Sequence, residues 1–184
     1  MRVIAGEKRS LKLVAPEGLD TRPTTDRIKE TLFNILQSDV PGCYFLDLYA
    51  GSGQMGIEAL SRGANYCVFV ENAKSPIECI EKNIKTCGYE KKSQIIKMDV
   101  LSALHSLEGR YRFGVIFMDP PYAKGLEKDI LKYLSDSSLC DEDTIIIVEA
   151  DDHTDFSYAQ DIGLSLYRVK KYKTNMHAFM RINK

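Results

Sequence analysis

Residues 44–150 alternate between short apolar runs and amphipathic segments, and this alternation restricts the possible folds more than any other feature of the chain. The apolar runs are predicted strands, and the segments between them are predicted helices. Strands that are apolar on both sides need cover on both faces, which a parallel sheet obtains from the helices that connect its strands. We therefore predict an α/β three-layer sandwich with a mostly parallel sheet.

The central strands and helices can be placed by these patterns. The predicted strands cover residues 44–50, 66–71, 93–98, 112–118 and 144–150, with predicted helices at 54–62, 75–88, 100–107 and near 125–135. At the C-terminus, the sequence LSLYRVKKYKTNMHAFMRI predicts two strands joined by a basic turn. This pair would add an antiparallel edge to the sheet.

The N-terminal part predicts a hairpin followed by a helix. Residues 3–5 and 11–14 are predicted to pair across GEKRS, and the apolar spacing of RPTTDRIKETLFNILQS predicts a helix. Thr24 or Thr25 can cap this helix, since a hydroxyl at that position accepts from a free backbone N–H group. We treat residues 1–22 as a basic β-hairpin extension of a domain that spans residues 1–184.

Length and composition narrow the class of protein. A chain of 184 residues that is 44% hydrophobic can bury one substantial core. Because no apolar run approaches the ~20 residues of a membrane span, we expect a soluble, cytoplasmic protein. The five cysteines form no CxxC pair and the three histidines are scattered, so we predict no metal site.

The charges are unevenly distributed although the net charge is only −1. Residues 1–29 hold seven Lys or Arg against four acids, and residues 164–184 hold six against none. Residues 127–155 hold ten acids and two lysines. This asymmetry would steer a polyanion toward one side of the molecule.

A glycine-rich turn follows the first central strand in DLYAGSGQMG. Gly51 and Gly53 allow the backbone to approach a ligand at a helix N-terminus. Glu71 ends the second strand, where an acid can accept from ribose hydroxyls, and Asp99 ends the third. With Asp47 at the end of the first strand, these acids predict a nucleoside pocket.

The type of nucleoside is less clear from the spacing, because Gly51, Gly53 and Gly56 also fit the dinucleotide pattern GxGxxG. Asp47 favours a cationic or amine-bearing ligand over a phosphate, since a carboxylate repels phosphate. NAD stays open as an alternative on spacing alone.

A stiff corner ends the fourth strand in VIFMDPPYAKG. Asp119 supplies a carboxylate, and Pro120 and Pro121 fix the backbone without offering N–H donors. A carboxylate and the Pro120 carbonyl can together accept both hydrogens of an exocyclic amine, which makes its nitrogen a better nucleophile. Tyr122 would stack on an unpaired base.

These motifs resemble a known family. The stretches RPTTDRIKETLFNIL, LDLYAGSGQMGIEALSRGA and MDPPYAKG are similar, in order and spacing, to those of the bacterial RsmD-type 16S rRNA guanine-N2 methyltransferases. The resemblance implies a Rossmann-like class I methyltransferase fold, S-adenosylmethionine as cofactor and transfer of a methyl group to N2 of a guanine.

Site residues follow from the resemblance by position. It places Asp119, Pro120, Pro121 and Tyr122 at the target guanine. It assigns to the cofactor Asp47, Gly51, Gly53, Glu71 and Asp99, their neighbours Tyr49, Asn72 and Val100, and Thr24, Thr25 and Arg27 closing over the site.

The resemblance also implies a partner. The target would be guanine 966 of 16S rRNA in a partly assembled small ribosomal subunit, and we expect the protein to be a monomer. Predicted RNA contacts come from the N-terminal extension, at Arg2, Lys8, Arg9, Lys12 and Arg22. Leu11 and Lys173 depart from the family pattern, in the hairpin and in the last turn.

Three alternatives stay open. A DNA adenine-N6 methyltransferase would use the same DPPY motif, although the chain lacks a sizeable insertion for target recognition. An NAD-dependent dehydrogenase would use the glycine turn. A non-catalytic RNA-binding protein would keep the fold without the reaction.

Overall fold

A single seven-stranded sheet organises the molecule in the computed structural model, which describes residues 1–16, 25–121 and 125–183. The strand order is β3-β2-β1-β4-β5-β7-β6, and only β7 runs antiparallel to both of its neighbours. The strands are β1 (Tyr44–Leu48), β2 (Tyr66–Val70), β3 (Ser93–Ile96), β4 (Val115–Met118), β5 (Ile145–Asp151), β6 (Leu164–Lys171) and β7 (Asn175–Ile182). The predicted parallel sheet with an antiparallel edge is confirmed.

Helices cover both faces of this sheet, as the continuous apolar strands require. The α-helices are α1 (Asp26–Ile35), α2 (Gln54–Ser61), α3 (Lys74–Cys87), α4 (Val100–Leu107) and α5 (Leu126–Ser135), with short 3₁₀ helices at Glu90–Lys92 and Ser157–Ile162. One apolar core lies between the sheet and α1, α2 and α3. A second lies between the sheet and α4 and α5.

Strands β1, β2 and β3 end one or two residues earlier than predicted, whereas β4 ends at the predicted Met118. The reason is visible at β1. Tyr49, which we predicted to lie within the strand, has a φ of 58° and starts the turn. A non-glycine residue with positive φ cannot continue a strand. Helix α1 begins where expected, with the Thr25 hydroxyl accepting from the Ile28 N–H at 3.3 Å.

The N-terminal hairpin is shorter than predicted. Its pairing is a single antiparallel bridge between Arg2 and Lys12, not two strands. The N–H groups of Ile4 and Ala5 donate instead to the Glu58 carboxylate, at 2.8 and 3.0 Å. These hydrogen bonds to α2 therefore replace the strand pairing that we predicted for Ile4 and Ala5. The assignment of residues 1–22 as an extension of one domain stays a prediction, and residues 17–22 lie outside the described part.

A buried ion cluster holds this hairpin against the helices. Glu58 is fully buried and accepts from Arg62 at 2.8 Å, with the Lys29 Nζ 3.4 Å away. Lys29 also donates to the Arg2 carbonyl at 2.6 Å. Burial lowers the pKa of Lys29, an effect that the nearby Glu58 opposes. Each charge thus has a partner, as buried charges require.

Among the described residues, no helix has both the length and the apolar character needed to cross a membrane.

Candidate active site

The carboxyl ends of the central strands meet at one edge of the sheet. Leu48 is in register with Val70 and Met118, and Met118 is in register with Val148. Hydrogen bonds continue this alignment past the strands, from the Glu71 N–H to the Ile96 carbonyl at 3.2 Å and from the Ala50 N–H to the Val70 carbonyl at 3.0 Å. The residues that follow each strand are therefore neighbours, as in other open α/β sheets that bind ligands there.

The glycine turn has the backbone shape predicted for a ligand-binding loop. Gly51 and Gly53 have φ values of 55° and 74°, and Gly53 is the N-cap of α2. A Cβ atom on Gly51 would have no neighbour closer than 4.0 Å, so the backbone there borders open space. Gly56 has a different role: a Cβ atom there would lie 2.3 Å from Cε1 of Phe69, so this glycine permits close packing of α2 on β2.

Two of the predicted acids stabilise this loop. The Asp47 carboxylate is buried and accepts from the Gly56 N–H at 2.9 Å. Glu71 accepts from the N–H groups of Gly51, Asn72 and Ala73, at 3.0, 2.9 and 3.0 Å. Both acids lie at the turn as predicted, and both already have backbone partners.

The environment of Asp47 favours its protonated form. Burial raises the pKa of Asp47 well above its usual range, the Gly56 N–H opposes this rise, and the carboxylates of Asp119 and Glu71 add to it. A bound cation would offset this cost, because an opposite charge nearby favours the ionised carboxylate.

A cavity of about 230 Å³ opens beside the glycine turn. Among the predicted cofactor residues, it is lined by Tyr49, Glu71, Asn72, Asp99 and Val100. Asp99 also caps α4, where its Oδ1 accepts from the Ser102 N–H at 3.0 Å. Hydrogen bonds from Ser102 lower the pKa of Asp99, so its carboxylate is ionised and can accept from a ligand amine.

The remaining walls of this cavity were not predicted from the sequence. Met98 and Leu101 are 39% and 40% exposed, unusually high for such apolar side chains, and both line it. Val70 of β2 and Leu126, Asp129 and Ile130 of α5 complete the lining. Apolar side chains around a few carboxylates suit an adenosine that carries a cationic group. The only sequence signal for Met98 and Leu101 was their position beside Asp99.

One further acceptor near the turn suits a ligand. Gln54, the first residue of α2, is 8% exposed, and its Oε1 has no hydrogen-bond partner among the described residues. A buried amide oxygen without a partner is unfavourable, so a donor on a bound molecule would stabilise it. The donors and acceptors present therefore fit S-adenosylmethionine.

Asp119 follows β4 at the same edge. Its N–H lies 3.5 Å from the Leu48 carbonyl, which places it beside the end of β1. Burial, and next the Glu149 carboxylate, raise the pKa of Asp119 to about 8. Pro120 and Pro121 line a second cavity of about 120 Å³, together with Glu149.

The two cavities lie on either side of the first turn of α5. Gly125 and Glu127 line the cavity beside Pro120, whereas Leu126 and Asp129 line the cavity beside Glu71. The first turn of α5 therefore contributes residues to both cavities.

Some predicted residues do not line either cavity. The Thr25 hydroxyl caps α1, and Arg27 is exposed in the first turn of that helix. Arg2 pairs with Asp26 at 2.9 Å, Lys8 lies near Glu7 and Tyr89, and Arg9 and Lys12 are exposed. The roles of these residues stay predictions. Arg22, Thr24 and Tyr122 lie outside the described residues.

The described residues contain one group with the spacing of metal ligands, although the sequence predicted none. Asp151, Asp152 and His153 bring possible ligand atoms within 4.8 Å of one another. The group spans the last residue of β5 and the turn that follows it, and Asp151 and His153 are exposed. Exposed acidic groups of this type are common on protein surfaces.

Several known proteins resemble this chain in sequence and in fold. The family model described as Conserved hypothetical protein 95 matches residues 1–181. The Bacillus subtilis protein YlbH is 41% identical over 152 residues, which cover 82% of this chain and 83% of YlbH. Ribosomal RNA small subunit methyltransferase D of Haemophilus influenzae is 35% identical over 153 residues, 82% of this chain and 79% of that protein. The chain belongs to this methyltransferase family.

Solved structures agree with this membership. The structure of yhhF from Escherichia coli is 30% identical, with a TM-score of 0.87, and the match covers 100% of this chain and 98% of that one. The fold is therefore the Rossmann-like fold of the class I methyltransferases, as predicted. S-adenosylmethionine, the predicted cofactor, is confirmed by membership of the family.

Proposed function

We propose that this protein transfers a methyl group from S-adenosylmethionine to the exocyclic N2 of a guanine in 16S rRNA, at position 966. The observation that carries the proposal is the rigid corner of Asp119, Pro120 and Pro121. The Asp119 N–H lies against the Leu48 carbonyl at the end of β1, and the next residue, Tyr49, lines the cofactor cavity. The substrate would be a partly assembled small subunit in the cytoplasm, and the protein would act as a monomer. The names of relatives such as ribosomal RNA small subunit methyltransferase D support an rRNA substrate.

The corner suits activation of a weak nucleophile. The lone pair of the guanine N2 is delocalised into the ring, so the amine needs help to attack. The Asp119 carboxylate and the Pro120 carbonyl would accept its two hydrogens and favour a tetrahedral nitrogen. Neither proline has an N–H group that could compete for these acceptors.

The remaining chemistry is simple. When bound, S-adenosylmethionine supplies an electrophilic methyl group on a sulfonium centre. Asp119 would hold the amine in line with the methyl–sulfur bond, which breaks as the nitrogen–methyl bond forms and leaves the neutral thioether S-adenosylhomocysteine. The proton that the nitrogen then releases would pass to Asp119 or to water. Glu71, Asp99 and the apolar side chains of Met98 and Leu101 hold the cofactor. No covalent intermediate with the protein is required.

Substitution of Asp119 tests the proposal. Small subunits from cells that lack this gene are incubated with labelled S-adenosylmethionine and the purified protein, and the modified nucleotide is located by mass spectrometry. We expect methylation of guanine N2 by the wild-type protein, and a loss of about 100-fold or more in kcat/KM for Asp119→Asn with little change in cofactor affinity. Asp136→Asn, the same change at the exposed end of α5, is the control.

Parallel assays with DNA as substrate, and thermal shifts with NAD or S-adenosylmethionine, separate the alternatives. Labelled DNA without labelled rRNA would favour the DNA adenine-N6 methyltransferase. A thermal shift with NAD and none with S-adenosylmethionine would favour the dehydrogenase. Cofactor that binds but is never consumed would indicate a non-catalytic RNA-binding protein. Full activity of Asp119→Asn would contradict the role given to this residue.

A further inference from the structure

A second carboxylate lies beside Asp119. Met118 of β4 and Val148 of β5 are register partners in a parallel pair, so the next residues, Asp119 and Glu149, are neighbours on the same face of the sheet. Adjacent strands are about 4.8 Å apart. The Glu149 carboxylate therefore lies next to that of Asp119, and it lines the same cavity as Pro120 and Pro121.

Glu149 is held in place by the antiparallel strand β7. Asn175 donates to its Oε1 at 2.6 Å, and the Nε2 atom of His177 lies 3.1 Å from its Oε2. The Tyr172 hydroxyl lies 3.2 Å from the Nδ1 atom of the same histidine. Glu149 is 4% exposed and His177 is fully buried, so the carboxylate is fixed before any substrate arrives.

Placing two carboxylates side by side in a buried site is costly without donors between them. Burial and the charge of Glu149 raise the pKa of Asp119. Among the described residues, the other ionisable groups near this pair are Asp47 from β1, Tyr172 from the turn between β6 and β7, His177 from β7, and Glu127 and Asp151, which line the same cavity. None of these is a fixed cation, so a ligand with two adjacent N–H donors would relieve the repulsion best.

Guanine presents such a pair of donors. Its N1–H and its N2 amine are adjacent on the Watson–Crick edge, whereas adenine has an N1 lone pair next to its amine. We propose that Glu149 is a specificity-determining residue that accepts from N1–H of the target guanine while Asp119 accepts from N2. An adenine would place its lone pair against the Glu149 carboxylate. This inference rests on the proposed function and adds the basis for selecting guanine.

The test compares guanine with 2-aminopurine, which keeps the C2 amine but has a lone pair at N1. Small subunits are reconstituted with rRNA that carries either base at the target position. We expect the wild-type protein to prefer guanine strongly, because a site built around a donor discriminates against a base that lacks it. In Glu149→Gln, the amide can donate to N1 of 2-aminopurine, so the ratio of the two kcat/KM values should fall at least tenfold.

Comparing the guanine-to-2-aminopurine ratio of kcat/KM between the wild-type and variant proteins isolates the effect of the contact to N1. 2-Aminopurine also lacks the guanine O6, but this loss affects the wild-type and variant proteins equally and leaves the change in ratio unaffected. Glu142→Gln, in the exposed turn before β5, is the matched control and should keep the wild-type ratio. A second readout is the pH profile: removal of the Glu149 charge should move the acidic limb of kcat/KM to lower pH.

Folding of the variants is checked by thermal unfolding. His177 can change tautomer and accept from the new amide, so Glu149→Gln retains hydrogen bonds on both sides. Glu149→Asp is a second variant. Its shorter side chain keeps the charge near Asn175 and His177 but moves it away from the base, so it should also lower the guanine-to-2-aminopurine ratio of kcat/KM.

The outcomes are distinct. An unchanged ratio in both folded variants, with normal guanine methylation by the wild-type protein, would overturn the role of Glu149 and leave the proposed function intact. Failure of the wild-type protein to methylate guanine N2 would overturn the proposed function, and this inference with it.

Discussion

Asp119 combines a buried position with a role that requires an ionised carboxylate. Burial and the neighbouring Glu149 raise its pKa to about 8, which is far above the usual value of about 4 for an aspartate. A protonated carboxyl group carries an O–H and accepts less well from the target amine. The fraction of active protein therefore depends on pH over the neutral range.

We expect kcat/KM to rise with pH, to reach half of its maximum near pH 8 and to level off above about pH 9, as Asp119 loses its proton in the free protein. Because the folded protein binds this proton more tightly than the unfolded chain, the free energy of unfolding should fall as pH rises from about 4 to about 8. Asp119→Asn should make both the residual activity and the stability less dependent on pH. Single-turnover rates and thermal unfolding from pH 5.5 to 9 measure these effects, and a flat activity profile for the wild-type protein would contradict them.

At the scale of elements, the glycine turn depends on how closely α2 packs on β2. Asp47 fixes the first turn of α2 through Gly56, and Glu71 ties the loop to the start of α3. Any change that moves α2 away from β2 would displace Gly51 and Gly53 together. Cofactor affinity and stability are therefore coupled at this helix.

Gly56→Ala should be strongly destabilising although alanine favours helices. The new Cβ atom would lie 2.3 Å from Cε1 of Phe69 and 2.4 Å from Sγ of Cys67, both on buried side chains. We expect a loss of about 2–3 kcal/mol in the free energy of unfolding, with weaker cofactor binding. Gly109→Ala is the control. Gly109 has a φ of 68° and open space around it, so this substitution should lower the free energy of unfolding by only about 1 kcal/mol. Similar losses from urea titration of both variants would contradict the packing argument.

At the scale of the whole molecule, the basic segments lie at different edges. The β6–β7 turn follows Lys171, which is paired with Met176, and Asp151 at the end of β5 is paired with Asn175. Lys170, Lys171 and Lys173 therefore lie at the same edge of the sheet as Asp119. The tip of the N-terminal hairpin contacts Ser61 at the end of α2, toward the opposite edge.

Charge reversal at the C-terminal turn should therefore weaken RNA binding, in addition to the contacts predicted for the N-terminal extension. We expect Lys170→Glu with Lys171→Glu and Lys173→Glu to weaken binding to small subunits at least tenfold and to reduce the salt slope of log Kd by about 2. Lys91→Glu with Lys92→Glu, on the exposed 3₁₀ helix before β3, is the control for a general charge effect. Equal losses in both variants, measured by filter binding at several salt concentrations, would contradict a localised RNA surface.

Local patterns were sufficient to predict much of this protein. The apolar runs, the glycine turn and the Asp119 corner could be placed from the sequence, because strand periodicity and the stiffness of proline act over a few residues. The C-terminal end of β1 and the length of the hairpin were wrong. After Tyr49 the Ala50 N–H donates to the Val70 carbonyl, and Ile4 docks on Glu58, so both features involve residues that are distant in the sequence.

The tertiary structure alone decided which groups face one another. Glu149 lies beside Asp119 only because β4 and β5 pair in one register, and it is fixed only because β7 returns Asn175 and His177 to the same edge. The sequence by itself determined the type of fold, the family and the residues at the ends of the strands. It contained no local signal for these partners, because the register between strands that are distant in the sequence is set by packing of the whole sheet.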